Sequence, residues 1–457
     1  MRAAQLAPPV EPGRGATRLL AWVAVALIGA ATVAGVEHLR NTAPVPLEVP
    51  RMDPDGLVAG YGPSSYPDAV AAADSAIADK HAILALGPGE WLRMEGLGRA
   101  FLARGRLTAN PEDLLEANRL LARAVAAAPW PAGPVLSRAG AALVVHDLPA
   151  AEQALARFDA GVAGPSALEA EEARGMRCEI AFERGAMARA RELCGAGGGL
   201  GLALRRANMA LAGGDAKGAA RIVEHALEQP GHSPPQLSAM MLQRAAIALA
   251  TGDWSASGQW ARAANRVFPG HWLAEAMVAQ QLALEGRVRD AEAAYRAVAE
   301  RTDNADIWSA LARLTGERGD EAAMRGYLAK AGASWERRIA LLPDTYAGHY
   351  AEHLAQTGAI ERALAISGGD FAQRPYLPVI TGYAIVLNQA GRHREVLAVV
   401  ERGEAAGFRS PTLLMFKSGA LAALGRTREA EQARKAALAM NPKIEHPNQA
   451  FVHFRQD

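Results

Sequence analysis

Between residues 68 and 442, apolar residues recur three and four positions apart within stretches of about 12 to 16 residues, and Gly or Pro marks the short breaks. That spacing gathers apolar side chains on one stripe of a helix, so the chain is expected to form helices paired by tight turns. The stretch opening at Trp272 is representative. Val278, Ala279 and Leu282 form one stripe, Gly286 the turn, and Ala291, Tyr295 and Val298 the second stripe. The series recurs from Ser238 with Ala245, Ala248, Gly252, Ser257, Ala261, Ala264 and a closing Pro269. It recurs again from Pro411 with Ser418, Leu421, Gly425, Ala430, Ala437 and Pro442. The period is about 34 residues. A lone hairpin of this kind cannot bury its stripe, so the units must stack into a continuous array.

About ten units fit this period, starting near Trp91, Ala132, Glu171, Leu200, Ser238, Trp272, Ala305, Asp344, Leu377 and Pro411. Their eighth residues are Gly98, Ala139, Cys178, Ala207, Ala245, Ala279, Ala312, Ala351, Ala384 and Ser418, all small enough for the second helix to approach closely. At the turn stand Gly105, Gly185, Gly214, Gly252, Gly286, Gly319, Gly358, Gly391 and Gly425, suited to the left-handed conformation that ends a helix. One unit has His146 there instead.

A small eighth residue, Gly at the turn and Ala at the twentieth place together resemble the tetratricopeptide repeat family. The match is imperfect. The large aromatic often found at the fourth place is mostly missing, the first unit carries an insertion over residues 106–113, the third is short, and residues 334–342 lengthen the seventh. The resemblance implies an all-α solenoid whose first helices line a concave surface, with places two, five, nine and twelve facing inward. Place nine reads Asn208, Ala246, Gln280, Arg313, Glu352, Ile385 and Gly419, and Asn388 lies at place twelve. This mixed lining suits hydrogen bonding to the backbone of a peptide segment or helix of another protein. Asn208, Gln280, Arg313, Glu352 and Asn388 are therefore the expected groove residues.

Ahead of the array, residues 19–36 read LLAWVAVALIGAATVAGV without a charge, near the lower limit for a membrane-spanning helix. A cleaved signal peptide is the alternative. The anchor is preferred because about 18 apolar residues exceed the usual hydrophobic region of a signal, roughly 7 to 15. Arg2, Arg14 and Arg18 lie before it, so in a bacterial inner membrane residues 1–18 would stay in the cytoplasm and the rest would be periplasmic. Residues 37–67 are Pro-rich and read as a linker, residues 68–442 as the solenoid, and residues 443–457 as a carboxy-terminal tail.

Charge narrows the partners. Lys plus Arg number 49 against 48 for Asp plus Glu, which leaves no basic excess for nucleic acid. Arg205, Arg206, Arg337 and Arg338 lie among acids on helices and read as solvated faces. The glycines from Gly195 to Gly201 follow no strand and lack the Lys and Ser or Thr of a phosphate loop. Cys178 and Cys194 face each other across a hairpin turning at Gly185; a disulfide and a pair of buried thiols both fit.

His349, Glu352 and His353 match the H-x-x-E-H string of a zinc hydrolase, where two His one turn apart hold the metal. No third ligand is evident, and Ala351 between them holds the close-packing eighth place. Neither catalytic nor metal-binding residues nor a cofactor are therefore expected. The chain reads as a membrane-tethered protein-binding scaffold or assembly factor, with lipid bilayer and other proteins as partners. A zinc-dependent hydrolase on that helix and an accessory role in exopolysaccharide export are the alternatives.

Overall fold

The computed structural model describes residues 52–162, 164–195 and 198–454. The chain divides into two units, residues 1–53, of which only the last two are described, and Pro54–Asp457, which carries the helices. The apolar segment 19–36 and the linker up to residue 51 lie outside the described residues. Among those described, no helix is long and apolar enough to cross a membrane.

Twenty-one α-helices and no strand occur among the described residues. A leading helix, Tyr66–Ala85, precedes ten hairpins. Their first helices are Trp91–Thr108, Val135–Val144, Ala167–Glu183, Leu200–Ala212, Pro234–Ala250, Trp272–Leu284, Ala305–Glu317, Pro343–Gln356, Leu377–Gln389 and Pro411–Ala423. These define units one to ten. All ten eighth-place residues are buried, which is what close approach of the second helix requires.

Most turns follow one local recipe. Eight of the nine turn glycines have positive φ, and His146 takes the same conformation at φ 58. In units two, four, five and seven the next residue is an Asp, whose side chain accepts the hydrogen bond of a backbone N–H three residues on and so caps the second helix. Arg287, Arg392 and Arg426 hold the cap position in units six, nine and ten. Each pairs instead with an acid three residues later: Asp290, Glu395 and Glu429.

Gly105 is the exception and corrects the expected turn of unit one. The helix runs on to Thr108 and the left-handed residue is Ala109, φ 56. Gly105 serves packing instead, because a Cβ there would stand 2.7 Å from Leu114 Cδ2.

Successive turns of the superhelix touch along a continuous seam. The Thr345 hydroxyl donates to Val145 O at 3.0 Å, Arg184 to Gln373 O at 3.1 Å, and Arg409 N to Ala212 O at 2.8 Å. Contacts of this kind join residues 189 to 229 positions apart, roughly six units of 34. Within-unit turns of units two to five thus pack on between-unit loops of later units, as Gly185 does on Pro375 and Gly214 on Arg409.

The amino-terminal end of the array continues this seam. Pro54–Pro67, read from sequence as the end of a free linker, lies against the loops after units four and five. Gly60 N donates to His232 O at 2.6 Å, Tyr66 N to Pro269 O at 3.0 Å, and Asp55 pairs with Arg266. Between the short 3-10 helix Pro54–Gly56 and the start of the leading helix at Tyr66 the stretch is irregular, which leaves its backbone groups free to bond across. Arg338 is a second correction. Instead of a solvated face it occupies a buried site, where it donates to Ala109 O at 3.1 Å and to the Tyr346 hydroxyl at 3.2 Å.

Candidate peptide-binding groove

The first helices of units six and seven bring Gln280 and Arg313 to one surface, and that surface is already occupied. The carboxy-terminal segment folds back over it as a short 3-10 helix, Pro447–Phe451, followed by extended residues 452–454. Gln280 reads its backbone in both directions. Its Oε1 accepts from His453 N at 2.6 Å and Phe454 N at 2.7 Å, while its Nε2 donates to Phe454 O at 3.1 Å. Arg313 donates to Ala450 O at 3.4 Å and Val452 O at 3.3 Å, and Asn448 donates to Leu284 O at 3.0 Å. Among the described tail residues, Val452 and Phe454 are buried in apolar seats. Val452 packs with Leu249, Trp254 and Leu284, and Phe454 lies 6.0 Å from the Tyr295 ring.

The side chain of a third tail residue, His453, enters a charged pocket. Its Nε2 stands 3.7 Å from Asp306 Oδ1, which His349 approaches to 3.6 Å from the other side; Arg313 and, behind Asp306, Arg338 are the cations of this pocket. Burial pushes the imidazole below its ordinary value, and the pull of Asp306 in the other direction does not make up the loss. The docked tail therefore binds fewer protons than a free one, so docking is at full strength above the free value of about 6.5 and weakens as pH falls below it. In an NMR titration, the His453 ring should have its midpoint below about 6.5, and protection of the Phe454 amide should fall across that range. A midpoint at or above that value would mean that Asp306 dominates.

The other expected groove residues remain more open. Asn208 is exposed and accepts from Gln243 Nε2 at 2.6 Å; Asn388 is exposed; Glu352 is half-buried, beside Gly382 of unit nine. The tail thus covers two of the five. Farther along, units one to four line an open cleft of about 820 Å³ that includes Arg99, Arg106, Glu179 and Arg205. Arg99 and Glu179 hold place nine of their units as counted from Trp91 and Glu171, a register that would have found them had it been carried to the first three units.

Cys178 and Cys194 are joined in a disulfide, with Cα atoms 5.6 Å apart and both residues buried. The H-x-x-E-H string forms no metal site. His349 stacks on Trp335 with centroids 5.3 Å apart, buried His353 faces Gly332 of the preceding helix, and Glu352 turns toward unit nine. Glu352 thus points away from the neighbour the two histidines share. Among the described residues, no group of three His, Cys, Asp or Glu is placed to hold a metal ion.

No protein-family model matches the chain, and no curated protein does. Solved structures do show likeness. A tetratricopeptide repeat protein from Parabacteroides merdae is 13% identical over 55% of this chain and 97% of its own, with a TM-score of 0.34. The yeast Tom70 structure is 14% identical over 84% of this chain and 91% of its own, with a TM-score of 0.32. The Rap protein complexed with competence and sporulation factor is 12% identical over 68% of this chain and 97% of its own, with a TM-score of 0.40. The chain is similar to helical repeat proteins of this type. At such identities and TM-scores the likeness carries nothing about function.

Proposed function

We propose that this chain is a protein-binding scaffold, tethered to a bacterial inner membrane by residues 19–36, with its repeat array in the periplasm. The observation that carries the binding part is the backbone recognition at Gln280 and Arg313: first-helix residues of two adjacent units hold an extended polypeptide by its amide groups. A surface that binds one stretch of backbone this way is chemically equipped for another. The tether rests on the uncharged run and its arginine flank, and the joined Cys178–Cys194 pair fits an oxidising compartment.

Site-specific photo-crosslinking in the native host tests the reading. Probes at Asn208, Glu352 and Asn388, which bond to none of the described tail residues, should each give a discrete protein adduct, and a probe at exposed Glu228, at the end of a second helix, should give none. Silence at all three sites in a folded, expressed protein would rule out the concave surface as the binding face.

A further inference from the structure

We infer that residues 444–454 are a displaceable occupant of the groove across units six and seven. The external ligand of that site is then an extended segment of another protein, carrying an apolar residue larger than Val and an aromatic two positions later. This deepens the scaffold reading and rests on it.

Three observations carry it. First, the hydrogen bonds from Gln280 and Arg313 go to main-chain atoms of residues 450–454, so any extended segment can form them; selectivity lies in the seats of Val452 and Phe454. Second, the tail underfills its seat. A cavity of about 340 Å³ lies beside it, lined by Ala246, Leu249, Leu377 and Pro411 and closed on one side by Ile444, Gln449 and Val452 of the tail itself. Third, polar atoms there go unmet: Gln449 Oε1 and the hydroxyl of Tyr295, the residue that faces Phe454, are buried with no hydrogen-bond partner among the described residues. Buried polar groups and apolar space are normally satisfied. A segment with a Leu, Met or aromatic in place of Val452 would reach into part of that space, and a polar atom near Tyr295 would meet its hydroxyl.

The occupant also follows from how the two ends of the array are covered. Pro54–Pro67 closes loops on one side with backbone bonds at Gly60 and Tyr66. The tail instead enters through side chains that present inward from first helices, the positions a partner would use.

The probe is a fluorescent peptide of residues 444–457 with Val452 replaced by Leu, added to the full chain. The wild-type protein should bind it weakly. A full-chain V452D variant, whose own tail is expelled, should bind it at least tenfold more tightly, and adding Gln280→Ala to that variant should abolish the gain. Equal affinity in wild type and V452D, with both folded by circular dichroism, would overturn the proposal. Should V452D fail to fold, hydrogen exchange on the unaltered chain decides the matter. Amides of His453 and Phe454 that exchange at least a hundredfold faster than core amides of Trp272–Leu284 support displacement, whereas exchange only with global unfolding overturns it. Crosslinks from Asn208 or Asn388 in the host test the scaffold reading separately, since both are exposed and neither bonds to the described tail residues.

Discussion

Replacing Arg374 with Ala is expected to destabilise the array by about 3–5 kcal/mol, the usual cost of removing one partner from a buried ion network. Arg374 is 4% exposed, on the loop after unit eight. It pairs with Asp370 at 2.8 Å and with Glu183 of unit three at 3.5 Å, and donates to Asp344 O at 2.5 Å. Glu183, 2% exposed, has one further partner, His146 at 2.9 Å. Ala at 374 would leave two buried carboxylates without their cation and a carbonyl without its donor. The loss should also change how the array unfolds. An open solenoid is held by neighbouring units alone and can unravel piecemeal. Here Arg374 ties unit three to unit eight, so the wild type should unfold as one transition in urea and the variant in two, the seam opening first. A single transition with an unchanged midpoint would show that the network contributes nothing net.

The second large effect separates backbone conformation from packing. Gly185 and Gly286 both sit at within-unit turns with φ 73 and φ 80. Ala at either must adopt the left-handed conformation, which costs roughly 1–2 kcal/mol. At Gly286 nothing lies within 4 Å of the added Cβ, so the cost stops there. At Gly185 the Cβ would stand 2.8 Å from the backbone oxygen of Pro375, across the seam, where the chain has little freedom to yield. Overpacking of this kind typically adds about 1–3 kcal/mol, so Gly185→Ala should lower stability by roughly twice as much as Gly286→Ala. Equal losses in matched denaturation curves would mean that the seam at Pro375 is loose.

The two expectations mark where the sequence was and was not legible. Gly185 and Gly286 are indistinguishable in the repeat pattern, and nothing around either tells that one carries a neighbouring turn on its back. His146 shows the reverse. It breaks the glycine rule in sequence yet holds the same left-handed turn, because the Asp147 cap and the helices on either side demand it. Gly105 kept the rule in sequence and broke it in space, since the insertion after it let the helix run on to Thr108.

The groove residues divide in the same way. Gln280 and Arg313 could be named from their place in the unit, because resemblance to the tetratricopeptide family implies that place nine faces inward. That the chain's own tail fills their surface could not be read, since residues 447–454 carry no repeat pattern and reach Gln280 from 173 and 174 positions away. Arg338 and Arg374 were hidden for a related reason: nothing in the local sequence of either tells it from a surface arginine, and only the stacking of superhelical turns takes them out of water.

By itself, then, the sequence determined the helical hairpins, their period and the buried small eighth residues, and the family resemblance implied which places face inward. These depend on contacts within one unit or between neighbours, and such contacts leave a periodic trace. Only the tertiary structure decided the seam, the covered amino-terminal end, the buried arginines and the occupant of the groove. They join residues roughly six units apart, at positions set by the accumulated rotation of every intervening hairpin, and no local spacing records that sum.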